Sequence, residues 1–261
     1  MFETLRYESR RRVRGTAIMT AAISLYAGFT VWYFSALEGV DYEQLVQEAP
    51  ATVKQAFGIE SLTTIEGFLS AQVFNFVWLL GLGLYFAYAA GALIADDIES
   101  ERMDLLLSFP ISRTQLLAET FASLLVPLLA VNIVTGGVIY LLVGAIGQTI
   151  APAHLVVAHV FSLPYLLVCA AIGVVASVLA ERAAIAKRAA VGIVFALYLV
   201  ESVVGSNTAF EWVQYISPTH YYKPTQILVH GSFNVTDPLV LLVTFVVLLA
   251  LGQFLFQRRD I

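Results

Sequence analysis

Residues 94–113 read IADDIESERMDLLLSFPISR, and five carboxylates fall within nine positions: Asp96, Asp97, Glu99, Glu101 and Asp104. Apolar runs flank the stretch, 68–95 before it and 117–147 after it. Each exceeds the ~20 apolar residues that a helix needs to cross the hydrocarbon core. The acids therefore sit on a link between two membrane spans, and the rest of the fold is counted outward from them.

Four more apolar runs reach spanning length, at about 16–36, 155–180, 189–205 and 238–256. The 261 residues are 59% hydrophobic, against ~45–50% in soluble domains. The expectation is an all-α membrane protein: one domain, 1–261, of six transmembrane helices. The run from Thr16 to Ala36 exceeds the ~7–15 apolar residues of a signal peptide. It also holds Trp32, Tyr33 and Phe34, which suit a membrane interface, so it reads as a retained first span.

Six spans place both termini on one side. Twelve of the fourteen Lys and Arg precede the first span, follow the sixth, or lie in the second-to-third and fourth-to-fifth links; the exceptions are Lys54 and Lys223. Cytoplasmic loops are the ones enriched in Lys and Arg. The termini, the acidic link and the 181–188 turn are thus expected in the cytoplasm of a cell-membrane protein. The 37–69, 148–154 and 206–237 segments face outward. Residues 1–15, with Phe2 and Leu5 among five arginines, read as an interfacial helix on the anionic inner leaflet. The aromatics of 206–237 and its Pro218 and Pro224 suggest short interfacial or re-entrant helices, shielded by protein where they dip.

Catalytic patterns are missing. Magnesium-diphosphate chemistry in a membrane transferase needs two acidic motifs, each holding the metal through paired carboxylates, and the chain has one. The four histidines lack ligand spacing, and no Gly is followed by Lys, so the chain holds no Walker A loop. No GxSxG or SxxK nucleophile motif occurs. No cofactor or nucleic-acid partner is expected, and Cys169, alone in an apolar run, reads as a buried hydrophobe. Glu119 and Glu201 lie near span ends and read as structural or pore-rim charges, with proton-coupled secondary transport as the alternative. A membrane-embedded Mg-dependent transferase is the more distant alternative. Asn132, beyond the helix-kinking Pro127, is placed to bridge helices or line a cavity.

Asp97, Glu101 and Asp104 fall at i, i+4 and i+7, one face of a helix. Met103, Leu106, Leu107 and Phe109 supply apolar surface, Pro110 ends the element, and Ser112 is placed to cap the next helix ahead of Arg113. A short amphipathic cytoplasmic helix joined rigidly to two spans suits transmission of a partner's motion.

MDLLLSFPISRTQLL (103–117) resembles the cytoplasmic motif of ABC-2 type permeases, the membrane subunits of ABC exporters. WVQYISPTHYYKPTQILVHG (212–231) and the ending FQRRDI (256–261) resemble the outer motif and arginine-rich tail of the branch that includes the nitrous oxide reductase maturation permease. The resemblance implies a dimer of permease copies in membrane lipid, with ATP bound and hydrolysed by separate ATP-binding subunits. It makes 96–113 a coupling helix carrying Asp97, Glu101, Arg102, Met103, Asp104, Leu106, Leu107, Phe109, Pro110 and Arg113. The second and fifth spans would line the path, with Asn132 and Glu201 as candidate path or rim residues. Two positions depart from the pattern: the family usually has Gly-Thr where this chain has Glu101-Arg102, and lysine is common where Glu119 stands.

Overall fold

A computed structural model describes residues 3–36, 62–204 and 211–259. The loop 37–61 with its Lys54, residues 205–210 and the extreme termini lie outside them. No strand occurs among the described residues, and six helices are long and apolar enough to cross a membrane. The all-α, six-span expectation therefore holds.

The amino-terminal segment is not a separate helix. α1 runs unbroken through Glu3–Ala36, which contains no proline to break its ladder of backbone hydrogen bonds. The second span comprises α2 (Ile65–Leu69), a π-helical stretch (Ser70–Leu82) and α3 (Gly83–Gly91). Side chains accommodate the wider turn: the Asn75 amide donates to the Ser70 carbonyl at 2.9 Å, and the Tyr165 hydroxyl donates to the Leu79 carbonyl at 2.8 Å. Next come two short helices, α4 (Ala95–Glu99) and α5 (Arg102–Leu107).

The third span is broken into α6 (Arg113–Ala122) and α7 (Leu125–Ala145). Pro127 explains the break, since it has no N–H to offer and its ring crowds the carbonyl four residues back. That carbonyl belongs to Ser123, whose side chain accepts from Arg12 Nε of α1 at 2.8 Å. α8 (Pro152–Leu179) and α9 (Ala183–Val204) are the fourth and fifth spans. The fifth begins six residues earlier than expected, within the helix-favouring Ala183–Arg188 stretch. Two short helices, α10 (Glu211–Gln214) and α11 (Pro224–His230), flank a 3₁₀ turn at Pro218–Tyr221. The sixth span is α12 (Thr236–Arg258).

α8 is the centre of the bundle: 61% of its apolar window is buried, against 17% for α12. Lipid tails are as apolar as side chains, so spans associate through close packing and internal hydrogen bonds rather than burial from water. Close packing is visible at Gly173, where a Cβ would stand 2.4 Å from the Ala87 carbonyl oxygen. Gly91 likewise admits the backbone of α9, its virtual Cβ lying 3.1 Å from Lys187 Cα. The internal hydrogen bonds converge on Asn132, buried in α7. Its Oδ1 accepts from Trp78 Nε1 at 3.1 Å and Ser162 Oγ at 2.8 Å, and lies 3.1 Å from His159 Nδ1. Its Nδ2 donates to the Leu128 carbonyl at 2.9 Å. Indole N–H can only donate, so the amide orientation follows from Trp78. One side chain thus ties the second, third and fourth spans together.

The 211–237 segment folds back onto the bundle. Tyr222 is fully buried, stacks on Tyr165 at 5.8 Å and donates to the Ala158 carbonyl at 3.0 Å. Thr225 meets Ser70 at 2.7 Å. Gly231 closes α11 at φ +62°, and a Cβ there would strike the His154 ring at 2.6 Å, so both backbone and space require glycine.

Candidate functional site

The five acids of 94–113 do not form one face. The helix expected through Asp97, Glu101 and Asp104 is interrupted between α4 and α5, where Glu101 takes the left-handed conformation (φ +56°, ψ +15°). Three carboxylates then find separate partners. Asp97 is buried and pairs with Arg102 at 2.9 Å; Arg102 also reaches Glu8 of α1 at 3.9 Å. Asp96 pairs with Lys187 at 3.1 Å, and Glu99 accepts the Ala183 backbone N–H at 2.9 Å, capping the start of α9. Ser177 of α8 accepts from the backbone N–H groups of Ile94 and Ala95, both at 3.0 Å. The acids clamp the link between spans two and three to α1 and α9. Among the described residues, no three His, Cys, Asp or Glu side chains come together as a metal site.

What faces outward is set by α5. Met103, Leu106 and Leu107 turn inward at i, i+3 and i+4: Met103 is 1% exposed, and the two leucines are half-buried against the core. Asp104, Leu105 and Ser108 turn outward, followed by Phe109 and Pro110. Leu105 and Phe109 are 67% and 65% exposed. A hollow of about 410 Å³ lies beside them, between the first turns of α1, the 97–111 segment and α6, with Tyr7, Arg102 and Glu119 among its lining. Ser112 caps α6, its hydroxyl accepting from Gln115 N at 3.1 Å, as expected.

Arg113 is half-buried and bonds back to the end of the sixth span. Its guanidinium donates to the carbonyls of Phe256 (3.1 Å) and Arg259 (2.5 Å) and lies 5.8 Å from the Phe256 ring centroid. Arg259 in turn donates to the Val178 and Ala180 carbonyls, the latter at 2.9 Å, capping the C-terminal end of α8. The arginine-rich tail is thus a staple between α6, α8 and α12. Basic side chains at a helix C-terminus satisfy orphan carbonyls.

The family model of the ABC-2 family transporter proteins matches residues 5–261. The chain belongs to that family. No curated protein matches it. The position where its resemblance places glycine is Glu101, the one non-glycine residue with positive φ among those described. A left-handed backbone costs a residue with a Cβ roughly 1–2 kcal/mol, which is why glycine suits the site. At the second departure, Glu119 is buried and accepts from Leu5 N at 3.1 Å and Gln115 Nε2 at 2.7 Å. A carboxylate at the N-terminus of α1 is stabilising there; a lysine has no acceptor to offer.

This ABC-2 chain keeps Asn132 and Glu201 apart. Asn132 is the hub of the buried network and also lines a hollow of about 380 Å³ between α7 and α8. Glu201 stands near the end of α9 and lies 3.4 Å from His220 Nδ1; its second oxygen is buried without a partner among the described residues. Sequence reasoning missed Leu105, because the apolar surface was assigned to Met103, Leu106, Leu107 and Phe109, and burial of the first three is a tertiary contact that leaves Leu105 outside. It also missed Arg259, whose contacts are all long-range.

Proposed function

We propose that the chain is the membrane subunit of an ATP-driven ABC exporter, working as a dimer. A separate ATP-binding subunit docks on the 95–110 element at the cytoplasmic end. The observation that supports this reading is α5: an anchored helix, Met103 inward, that holds Leu105 and Phe109 out to solvent. Large apolar side chains exposed together at the end of the bundle mark a protein-interaction surface. Glu101 and Asp104 give it an acidic edge. Arg102–Glu8 and Glu99–Ala183 fasten the element to the first and fifth spans, so a displacement imposed at Leu105 is carried into both, and along the chain into the second. ATP would be bound and hydrolysed by the partner, and nucleotide-driven closure would act only through its different affinity for the two membrane-domain states.

The test is co-purification of the chain with its ATP-binding subunit after Leu105→Asp or Phe109→Asp. Central apolar anchors carry ~2 kcal/mol or more of interface energy, so association falls more than tenfold while thermal stability is kept. Trp212→Asp, 65% exposed at the opposite end, leaves association intact. Full association in both α5-region variants refutes this docking surface.

A further inference from the structure

The end of the bundle opposite the termini carries a hollow of about 290 Å³, walled by the fourth span and the segment leading into the sixth. This is the small end of the ~300–1,000 Å³ typical of ligand sites. Three rings line it, Phe161, Tyr221 and Phe233, with one cation, Lys223, and one anion, Asp237. Phe161 and Phe233 meet edge to face, their centroids 5.6 Å apart. Lys223 is exposed and Asp237 half-buried. Although they share one hollow, neither takes part in an ion pair among the described residues. Opposite charges held apart in one cavity leave room for a ligand carrying both.

The depth of the hollow narrows the chemistry. Phe233 in its wall is exposed, as is Tyr215, whose carbonyl accepts from the Tyr221 hydroxyl at 3.0 Å; exposed aromatics of this kind mark the headgroup level of a bilayer, and α12 enters the membrane from its edge at Thr236. An ammonium is attracted to aromatic faces and to a carboxylate. A phosphate is attracted to the point charge of a lysine. We propose that the hollow binds the headgroup of a zwitterionic phospholipid from the adjoining leaflet, its phosphate on Lys223 and its ammonium against Asp237 and the Tyr221 and Phe233 rings. An anionic lipid satisfies Lys223 but leaves Asp237 without a cation, so the site selects zwitterion over anion. This needs only that the chain spans a bilayer and is independent of the ATPase reading.

The full chain is reconstituted in nanodiscs of equal phosphatidylethanolamine and phosphatidylglycerol, moved to detergent, and its retained lipid is counted by native mass spectrometry. Wild type retains one phosphatidylethanolamine in excess over phosphatidylglycerol. Lys223→Gln and Asp237→Asn each reduce that excess roughly fivefold, the scale of one partly exposed charge contact. Lys223 is exposed, so its variant keeps the fold, which unfolding temperature verifies. Equal retention of the two lipids by wild type overturns the proposal, as does an unchanged excess in both variants. Displacement of the lipid by soluble glycerophosphoethanolamine at equal concentration assigns the hollow to a water-soluble zwitterion and overturns the lipid.

Discussion

Glu101 is the residue at which local backbone and side chain disagree. Its φ of +56° suits glycine, and its carboxylate is exposed with no ion pair among the described residues. Glu101→Gly is expected to raise stability by ~0.5–1 kcal/mol, the relief of left-handed strain less glycine's extra unfolded-state entropy, read as a higher unfolding temperature in detergent. Asn132 predicts the opposite sign. Asn132→Ala leaves the Trp78, Ser162 and His159 polar groups without their shared acceptor. At ~0.6–2 kcal/mol for each intramembrane hydrogen bond, the loss is on the order of 2 kcal/mol or more, measured as a lowered midpoint. Asn132 was legible in the sequence as a helix bridge because an amide in an apolar run has few other roles. The strain at Glu101 was not, since a left-handed residue leaves no mark in the hydropathy pattern.

At the scale of elements, the spans were readable from run length, and their number and order follow from 3.6-residue geometry and bilayer thickness. Their interruptions were readable only where proline caused them, as at Pro127. The π-helical Ser70–Leu82 stretch rests on long-range partners, Tyr165 and Thr225, which no local rule supplies. The same holds for the acidic link. Its i, i+4, i+7 spacing suggested one helix, but Asp97, Glu99 and Asp96 are drawn to Arg102, Ala183 and Lys187, and the helix breaks to let them. Packing between elements separates two glycines. Gly173→Leu forces side-chain atoms against the Ala87 backbone, which cannot yield, so α3 and α8 must part. The cost exceeds the ~1–3 kcal/mol of ordinary overpacking. Gly137→Ala, in α7 with nothing within 4 Å of the new Cβ, is expected to be neutral or stabilising by ~0.5–1 kcal/mol. Thermal unfolding of the two variants side by side checks both signs.

The whole molecule is a six-span bundle whose two ends differ. One end ties the termini, the acidic link and the fourth-to-fifth turn into one rigid cap through Arg113, Arg259, Glu99 and Glu119. The other carries the folded-back 211–237 segment. The account's central claim is that the capped end receives a second polypeptide at Leu105 and Phe109. Cys169, the only cysteine, is fully buried, so Leu105→Cys gives a single reporter thiol on the native surface. The deciding measurement is the rate at which a membrane-impermeant maleimide labels that thiol in inside-out vesicles, with and without the ATP-binding subunit. The account predicts fast labelling of the chain alone and at least tenfold protection in the assembled complex. Equal labelling rates with and without the subunit would contradict it.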